Sequence, residues 1–293
     1  MNIHPVTLKI GLKTPVKLLH ISDTHFCLAD GEDDPRRRAL AVRREKEFGV
    51  PTARLLESWC ELIRYGRERC DLIVHTGDLI DFVSHANLAM MKERLRDADI
   101  FFAVGGHEFI QDLDELIEMG NRGIVGETLP YKRESIEKIR MCSPNALYFD
   151  SRVVGGVNLV TLDDSYYTVT RTQLDLLRRE VAKGLPIVLC MHGPLHTRAL
   201  YDEMMDGGRG GSAWLVGTPD ELRRGYRPAH CFALQQPDET TFEFIEYVKR
   251  EPAIKLLLTG HLHRFRVDEL APGKPQILTG LSCRGEAVEL TLQ

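Results

Sequence analysis

The sequence has no cysteine framework, no long apolar run, no surplus of positive charge and no low-complexity tract, and each absence removes a class of protein. Its seven cysteines (Cys27, Cys60, Cys70, Cys142, Cys190, Cys231 and Cys283) are odd in number, scattered, and nowhere spaced C-x-x-C. A disulfide-stapled secreted scaffold would cluster them, so reduced thiols are expected. The amino-terminal stretch MNIHPVTLKIGLKTPVKLL is interrupted by Lys9, Lys13 and Lys17, which leaves no apolar core of signal-peptide length. No stretch reaches the roughly 20 apolar residues of a membrane-spanning helix. A cytoplasmic protein that does not enter a membrane is the resulting expectation. Acids outnumber Lys plus Arg by 43 to 38, a net charge of −5, so there is no electrostatic reason for tight binding to nucleic acid or an anionic membrane. A small phosphorylated substrate stays compatible, because bound divalent cations reverse the local charge of a site.

What is present is the composition of an ordinary globule, 43% hydrophobic and 28% charged over 293 residues. That length buries a large core without staples and suits one large α/β domain. No internal repeat or linker interrupts it, so residues 1–293 are expected to form one domain. Short apolar runs alternate with helical patterns. Val16 to Ser22 reads as a buried strand, with Val6 to Ile10 as its hairpin partner. Leu55, Leu56, Trp59, Cys60 and Ile63 form one stripe of a helix that starts near Pro51, and strand 72–76 comes next. The unit recurs with a helix over 84–96 and a strand over 100–104. Further helices are expected over 112–118, 131–141, 172–182 and 242–250. Further strands are expected over 146–150, 153–154, 157–162, 186–192 and 254–259, with two more short ones at the end. Two stretches stand out as insertions. Residues 29–47, with Arg36, Arg37, Arg38, Arg43 and Arg44, read as a solvated flap with a short polar helix. Residues 197–240, rich in Gly and Pro, read as a lid or binding loop.

The chemistry lies at the strand ends. Strand 16–22 runs into Asp23-Thr24-His25, strand 72–76 into Gly77-Asp78-Leu79-Ile80-Asp81, and strand 100–104 into Gly105-Gly106-His107-Glu108. The strand ending at Met191 runs into His192, and the strand ending at Thr259 into Gly260-His261-Leu262-His263. Any one of these is an ordinary polar turn. Five in succession deliver Asp and His to one edge of a sheet, where open α/β sheets bind their ligands. Carboxylates and imidazoles without thiolates suit Zn, Mn or Fe better than Ca or Mg. In extended chain, residues i and i+2 project to one side, so each D-x-H or H-x-H pair can converge on one cation. The ligands exceed what one four-coordinate ion needs, which points to two ions bridged by a carboxylate.

This ordered series resembles the signature of the calcineurin-like metallophosphoesterases over residues 16 to 267. The resemblance implies a four-layer α/β/β/α sandwich with two central mixed sheets. It implies Asp23, His25 and His263 on a first metal, His192 and His261 on a second, and Asp78 bridging them. It also implies His107 as proton donor or transition-state partner, oriented by Asp81. The expected activity is hydrolysis of a phosphomonoester or phosphodiester by a hydroxide bridging the two metals. One position departs from the pattern: the family's third motif carries an Asn before the His, and this chain has Gly106. The resemblance assigns that Asn to the second metal and to substrate phosphate, so the second site is expected to be the weaker, with Glu108 or Asp164 as possible replacements.

Other residues carry weaker signals. His20 and His75 read as packed groups behind the site, His196 as a turn residue at most at its rim, and Asp163 and Asp164 as turn carboxylates. Arg209, in GGRGG, reads as part of a flexible loop. Two other functions compete with ester hydrolysis. A metal-retaining scaffold would account for Gly106 but not for a retained proton donor. A nuclease would want a basic track, for which the arginines of 36–44 are the only support, diluted by Asp30, Glu32, Asp33 and Asp34.

Overall fold

Alternating apolar strands and amphipathic helices leave a chain few ways to bury both faces of a sheet except under helices or a second sheet. The computed structural model describes residues 1–124, 130–207 and 211–293 and adopts that arrangement. Elements are numbered in chain order. One sheet has the spatial order β1 (Asn2–Leu8), β11 (Glu286–Leu292), β2 (Val16–Ile21), β3 (Leu72–Thr76), β4 (Ile100–Ala103). The other runs β5 (Phe149–Val154), β6 (Val157–Leu162), β7 (Ile187–Cys190), β8 (Ile254–Thr259), β10 (Lys274–Leu278), β9 (Arg266–Ala271). Both are mixed: β2, β3 and β4 are mutually parallel while β11 is antiparallel to β2, and β6, β7 and β8 are parallel while β5 and β9 are antiparallel to their neighbours.

The continuous apolar character of β2 comes from burial on both faces. Leu18, with Val16, Leu72, Val74 and Phe101, packs between the sheets against Leu159, Val188 and Leu256. Leu19 and Ile21 point the other way, into a core with α2 (Thr52–Arg69) and α3 (His85–Ala98) through Leu55, Trp59, Leu62, Met91 and Leu95. On the far side, α6 (Arg171–Val181) and α10 (Glu239–Arg250) close over the second sheet with Leu174, Leu177, Phe244 and Val248. A Thr170–Gln173 capping box opens α6. The layers are therefore α/β/β/α, as expected.

Three details differ from the sequence-based expectation. Residues 6–10 do not form a hairpin with β2: β1 pairs in parallel with β11, which lies between them. Local sequence could not reveal this, because the partner is at the far end of the chain. Three strands, not two, come after β8. The described residues of 197–240 contain three short helices, α7 (Arg198–Asp206), α8 (Asp220–Arg223) and α9 (Ala229–Leu234). Short helices bounded by Pro and Gly leave too little periodicity to read. Arg209 lies outside the described residues. Helix α4 (Leu113–Asn121) crosses α9 closely at Gly120, where a Cβ would come within 2.9 Å of His230. Helix α5 (Pro130–Arg140) is next in the chain. Among the described residues no helix is long and apolar enough to cross a membrane.

Candidate metal centre

The carboxyl ends of β2, β3 and β4 meet those of β7 and β8, and every sequence-predicted site residue lies at that junction. Three groups of potential ligand atoms, each within 4.8 Å of one another, are Asp23 with His25 and His263, Asp78 with His192 and His261, and Asp78 with His25 and His107. Asp78 belongs to two of them. Its Oδ2 lies 3.0 Å from His192 Nε2 and 3.7 Å from His25 Nε2, between the two histidine clusters.

Outer hydrogen bonds decide which nitrogen each imidazole presents. His192 Nδ1–H donates to the Thr76 carbonyl at 2.7 Å, which turns Nε2 inward. His25 Nδ1–H donates to Asp81 Oδ1 at 2.9 Å, again leaving Nε2 inward. His261 Nε2 shares a 2.8 Å hydrogen bond with the Tyr167 hydroxyl, so Nδ1 is its inward atom, 3.1 Å from His192 Nε2. His263 Nε2 lies 3.2 Å from His25 Nε2. Inward nitrogens this close to one another and to carboxylates suit a cation. Asp23 points to the same conclusion. Its Oδ2 accepts from the His261 backbone N–H at 2.9 Å, but Oδ1 is buried without a hydrogen bond of normal geometry, 3.3 Å from His263 Nε2. A buried carboxylate oxygen left this way is costly unless something positive completes it. The residues fit a metal.

The backbone is strained at the same places. Asp23, His25, Asp78, His261 and His263 all have φ between 48° and 68°. The D-x-H and H-x-H pairs thus converge through left-handed turns rather than the extended chain expected for them. Asp and His tolerate this region better than most residues, yet each instance costs on the order of 1–3 kcal/mol and such residues gather at functional sites. Two glycines make the close approaches possible: a Cβ on Gly260 would fall 2.4 Å from Asp23 Oδ2, and one on Gly105 would fall 2.3 Å from Asp78 Oδ1.

The charge state reflects the geometry. Burial alone would lower the His25 pKa, but the Asp23, Asp81 and Asp78 carboxylates push it up to about 10. His192 is likewise raised against burial, chiefly by Asp78. Burial would raise Asp78, but His192 and His107 hold its carboxyl far below the usual range. A cation would replace the protons these imidazoles carry.

His107 is joined to Asp81 twice: Nδ1–H donates to the Asp81 carbonyl at 2.7 Å and lies 3.2 Å from the carboxylate. Its backbone N–H donates to Asp78 Oδ1 at 3.0 Å. Neither candidate to replace the missing Asn is free to do so. Glu108 is fully buried and accepts from the N–H groups of Asp78, Leu79 and Gly105, so it braces the two loops. Asp164 accepts from the N–H groups of His192 and Gly193 at 2.9 and 2.7 Å. Gly106 itself is not in a left-handed conformation, and a Cβ there would have Ser165 O as its nearest neighbour at 3.6 Å.

His20 and His75 are buried behind the site, bonded to Thr76 and Thr24. His196 meets the Tyr201 ring edge-on, and Asp163 pairs with Lys132 at 2.6 Å. Sequence reasoning missed Arg44, Phe48, Tyr167 and Trp214. The charged segment 29–47 forms the expected polar helix, α1 (Pro35–Phe48), largely exposed with Leu40 buried, but its end reaches the centre. Arg44 grips Asp81 with Nε–Oδ2 at 2.6 Å and Nη2–Oδ1 at 2.9 Å, and the Phe48 ring packs 4.7 Å from that of His25. Arg36, Arg37 and Arg43 are also paired with carboxylates, so the run is no open basic track. Tyr167 lies just past β6, a sixth strand end that carries no metal-ligand motif; Trp214 has no comparable signal.

A family model described as calcineurin-like phosphoesterase matches residues 16–265. No curated protein matches the chain. Among solved structures, a dimetal phosphatase from Danio rerio is 13% identical, with a TM-score of 0.50 over 92% of this chain and 89% of that one. A structure assigned as a 5'-nucleotidase from Staphylococcus aureus is 16% identical with a TM-score of 0.47, and the match covers 92% of this chain but only 49% of that one. This chain thus spans about half the nucleotidase's length. A phosphopantetheinyl hydrolase from Mycobacterium tuberculosis is 12% identical with a TM-score of 0.42, covering 97% of this chain and 92% of that one.

Proposed function

The chain belongs to the calcineurin-like phosphoesterase family, and on that premise we propose that it hydrolyses a small phosphomonoester or phosphodiester at a centre for two metal ions (Mn, Fe or Zn). The observation that carries this reading is the orientation of the histidines. His25, His192 and His261 have their outer nitrogens held by Asp81, Thr76 and Tyr167, and they turn the inner ones toward Asp78 and each other. Asp23, His25 and His263 would hold one ion, His192 and His261 the other, and Asp78 both. When bound, such a pair supplies an acidified water and Lewis-acid stabilisation of phosphate charge. The protein's own contribution to proton movement is His107. With Nδ1–H fixed on Asp81, its Nε2 is the atom left to give a proton to a departing oxygen, and the Asp81 carboxylate stabilises the charged ring. Arg44 keeps Asp81 ionised and in place.

The test is elemental analysis of purified protein combined with monoester and diester assays in excess Mn, Fe or Zn. Retention of metal and its loss in Asp78→Ala, together with metal-dependent turnover, is the expected result. Gly106 favours a second reading, a scaffold that keeps one ion and no activity. Metal retained without turnover of any ester at saturating metal would select it.

A further inference from the structure

Beside the centre lies a cavity of about 300 Å³ whose walls include Asp78, His107, His192 and His261 from the centre itself. That volume is at the lower end of small-molecule sites. Away from the ligands most of the wall is apolar, formed by Phe109, Ile110, the α4 residues Leu113, Leu116 and Ile117, and Leu234 of α9, while Tyr131, Asp164, Ser165 and His230 contribute its polar groups. No lysine or arginine lines it among the described residues. Lys132 Nζ, beyond the wall, lies over the Phe109 and Tyr166 rings and is paired with Asp163. A second phosphate or a carboxylate would be desolvated there with no lysine or arginine to meet it, and most of a polyhydroxylated sugar would face hydrocarbon.

Two further observations connect cavity and centre. Gly106 stands on the boundary, lining the cavity next to His107, and its missing side chain leaves the passage between them open. Tyr167 and Trp214 both lie on that boundary against His261, with ring centroids 5.6 and 6.2 Å from the imidazole. Both have positive φ, 61° and 56°. Two bulky aromatics held in the left-handed region are uncommon and costly, and their placement between a polar centre and an apolar cavity is that of a functional wall.

We propose that this cavity receives the organic group of the substrate, so that the enzyme acts on phosphoesters of an apolar, uncharged hydrocarbon alcohol in preference to nucleotide or sugar phosphates. Phosphate would sit at the centre and the hydrocarbon would pass Gly106 into the space beneath α4 and α9. The substrate class rests on the phosphoesterase reading of the centre; the cavity's preference for hydrocarbon does not.

The test is kcat/KM for a series of n-alkyl phosphates from methyl to octyl with Mn-loaded protein. Burial of each methylene should raise it up to about fourfold until the cavity is full. In Leu116→Asn the octyl-to-methyl ratio should fall at least tenfold. Ile117→Lys, at a position 40% exposed on α4, reads the same ratio should Leu116→Asn fail to fold. Turnover that is flat along the series, or highest for glucose 6-phosphate or a nucleotide, overturns the inference and leaves the phosphoesterase reading intact. If no ester turns over, calorimetric titration of n-alkyl phosphonates into the metal-loaded protein decides. Affinity rising with chain length in the parent and not in Leu116→Asn sustains the cavity assignment, whereas length-independent or absent binding overturns it.

Discussion

Gly106 sets two consequences against each other. Adding Asn there supplies an amide oxygen for the site that otherwise has only Asp78, His192 and His261 from the protein, and more ligands hold a cation better. The backbone and the 3.6 Å clearance to Ser165 permit the side chain. In the parent, mild chelation should therefore remove one ion before the other, and Gly106→Asn should bring the two losses closer together, measured as metal content against chelator concentration. Two ions lost together in both proteins would show that another group completes the weaker site. The same side chain narrows the passage to the apolar cavity, so the variant should gain activity at limiting metal on methyl phosphate more than on octyl phosphate. His107 makes a separate residue-scale prediction. Its Nδ1–H is committed to Asp81 and its Nε2 is free to donate. His107→Ala should slow alkyl esters by roughly 10²–10⁴-fold and nitrophenyl esters much less, since the latter leave without a proton. Equal losses would assign His107 to binding phosphate instead.

At the scale of elements, α1 is the addition that alters the picture of the centre. Asp34 caps its amino end, accepting from Arg37 N, and Gly49 ends it with φ 64°, so its span is set locally. Its placement is set by the pairs its arginines make with Asp112, Glu115, Asp114 and Asp81. Three of those acids lie at or in the start of α4, which ties α1 to the helix that roofs the apolar cavity. Exposed pairs of this kind are each worth little, but Arg44–Asp81 is different because Asp81 is fully buried. Arg44→Met should cost about 1.5–3 kcal/mol in urea unfolding, the range of hydrogen bonds to charged groups. It should also lower turnover by loosening the Asp81 that holds His25 and His107. Arg44→Lys keeps the charge but not the two-pronged grip, so it should recover stability better than activity. Recovery of both would mean that charge alone matters there.

Over the whole molecule, the central strands of the two sheets are buried on both faces, and in β2 and β3 that burial traps His20 and His75 as neutral imidazoles. Loss of solvation lowers each to about 3 from an ordinary 6.5. Between those values each of these two histidines binds more protons in the unfolded chain than in the folded one, so their contribution to stability is complete above 6.5 and falls as pH drops toward 3. From pH 6.5 to 5.5 each histidine should remove roughly 1 kcal/mol. Urea unfolding of chelator-treated protein between pH 7.5 and 5 measures the slope without ligand competition. In that window folded His25 stays protonated while its unfolded counterpart titrates near 6.5, which adds stability as pH falls and opposes the His20 and His75 slope, so the comparison of parent and variant carries the test. His75→Gln should flatten the slope by about half of the two-histidine effect, and an unchanged slope would remove His75 from the account.

The residues themselves determined what could be read locally. Strand 72–76 was legible as a continuous apolar run because both of its faces are buried, and the helix from Thr52 because a 3.6-residue stripe arises from burial of one face. The grouping of Asp23, His25, Asp78 and His107, and separately of His192, His261 and His263, was legible because parallel strands of one sheet end on one side; packing of the two sheets brought the groups together. Tertiary structure decided the rest. Only chain closure could place β11 between β1 and β2, since that pairing joins opposite ends of the sequence. Only packing could set one arginine of the charged helix α1 on a buried carboxylate, because Arg44 and Asp81 are 37 residues apart. The apolar cavity beside the centre was likewise invisible in residue order: its walls come from α4, α9, the turn after β6 and Trp214, which no periodicity links. Ligand chemistry is a property of side-chain type and spacing, whereas the space a substrate must fill exists only once distant segments have packed around it.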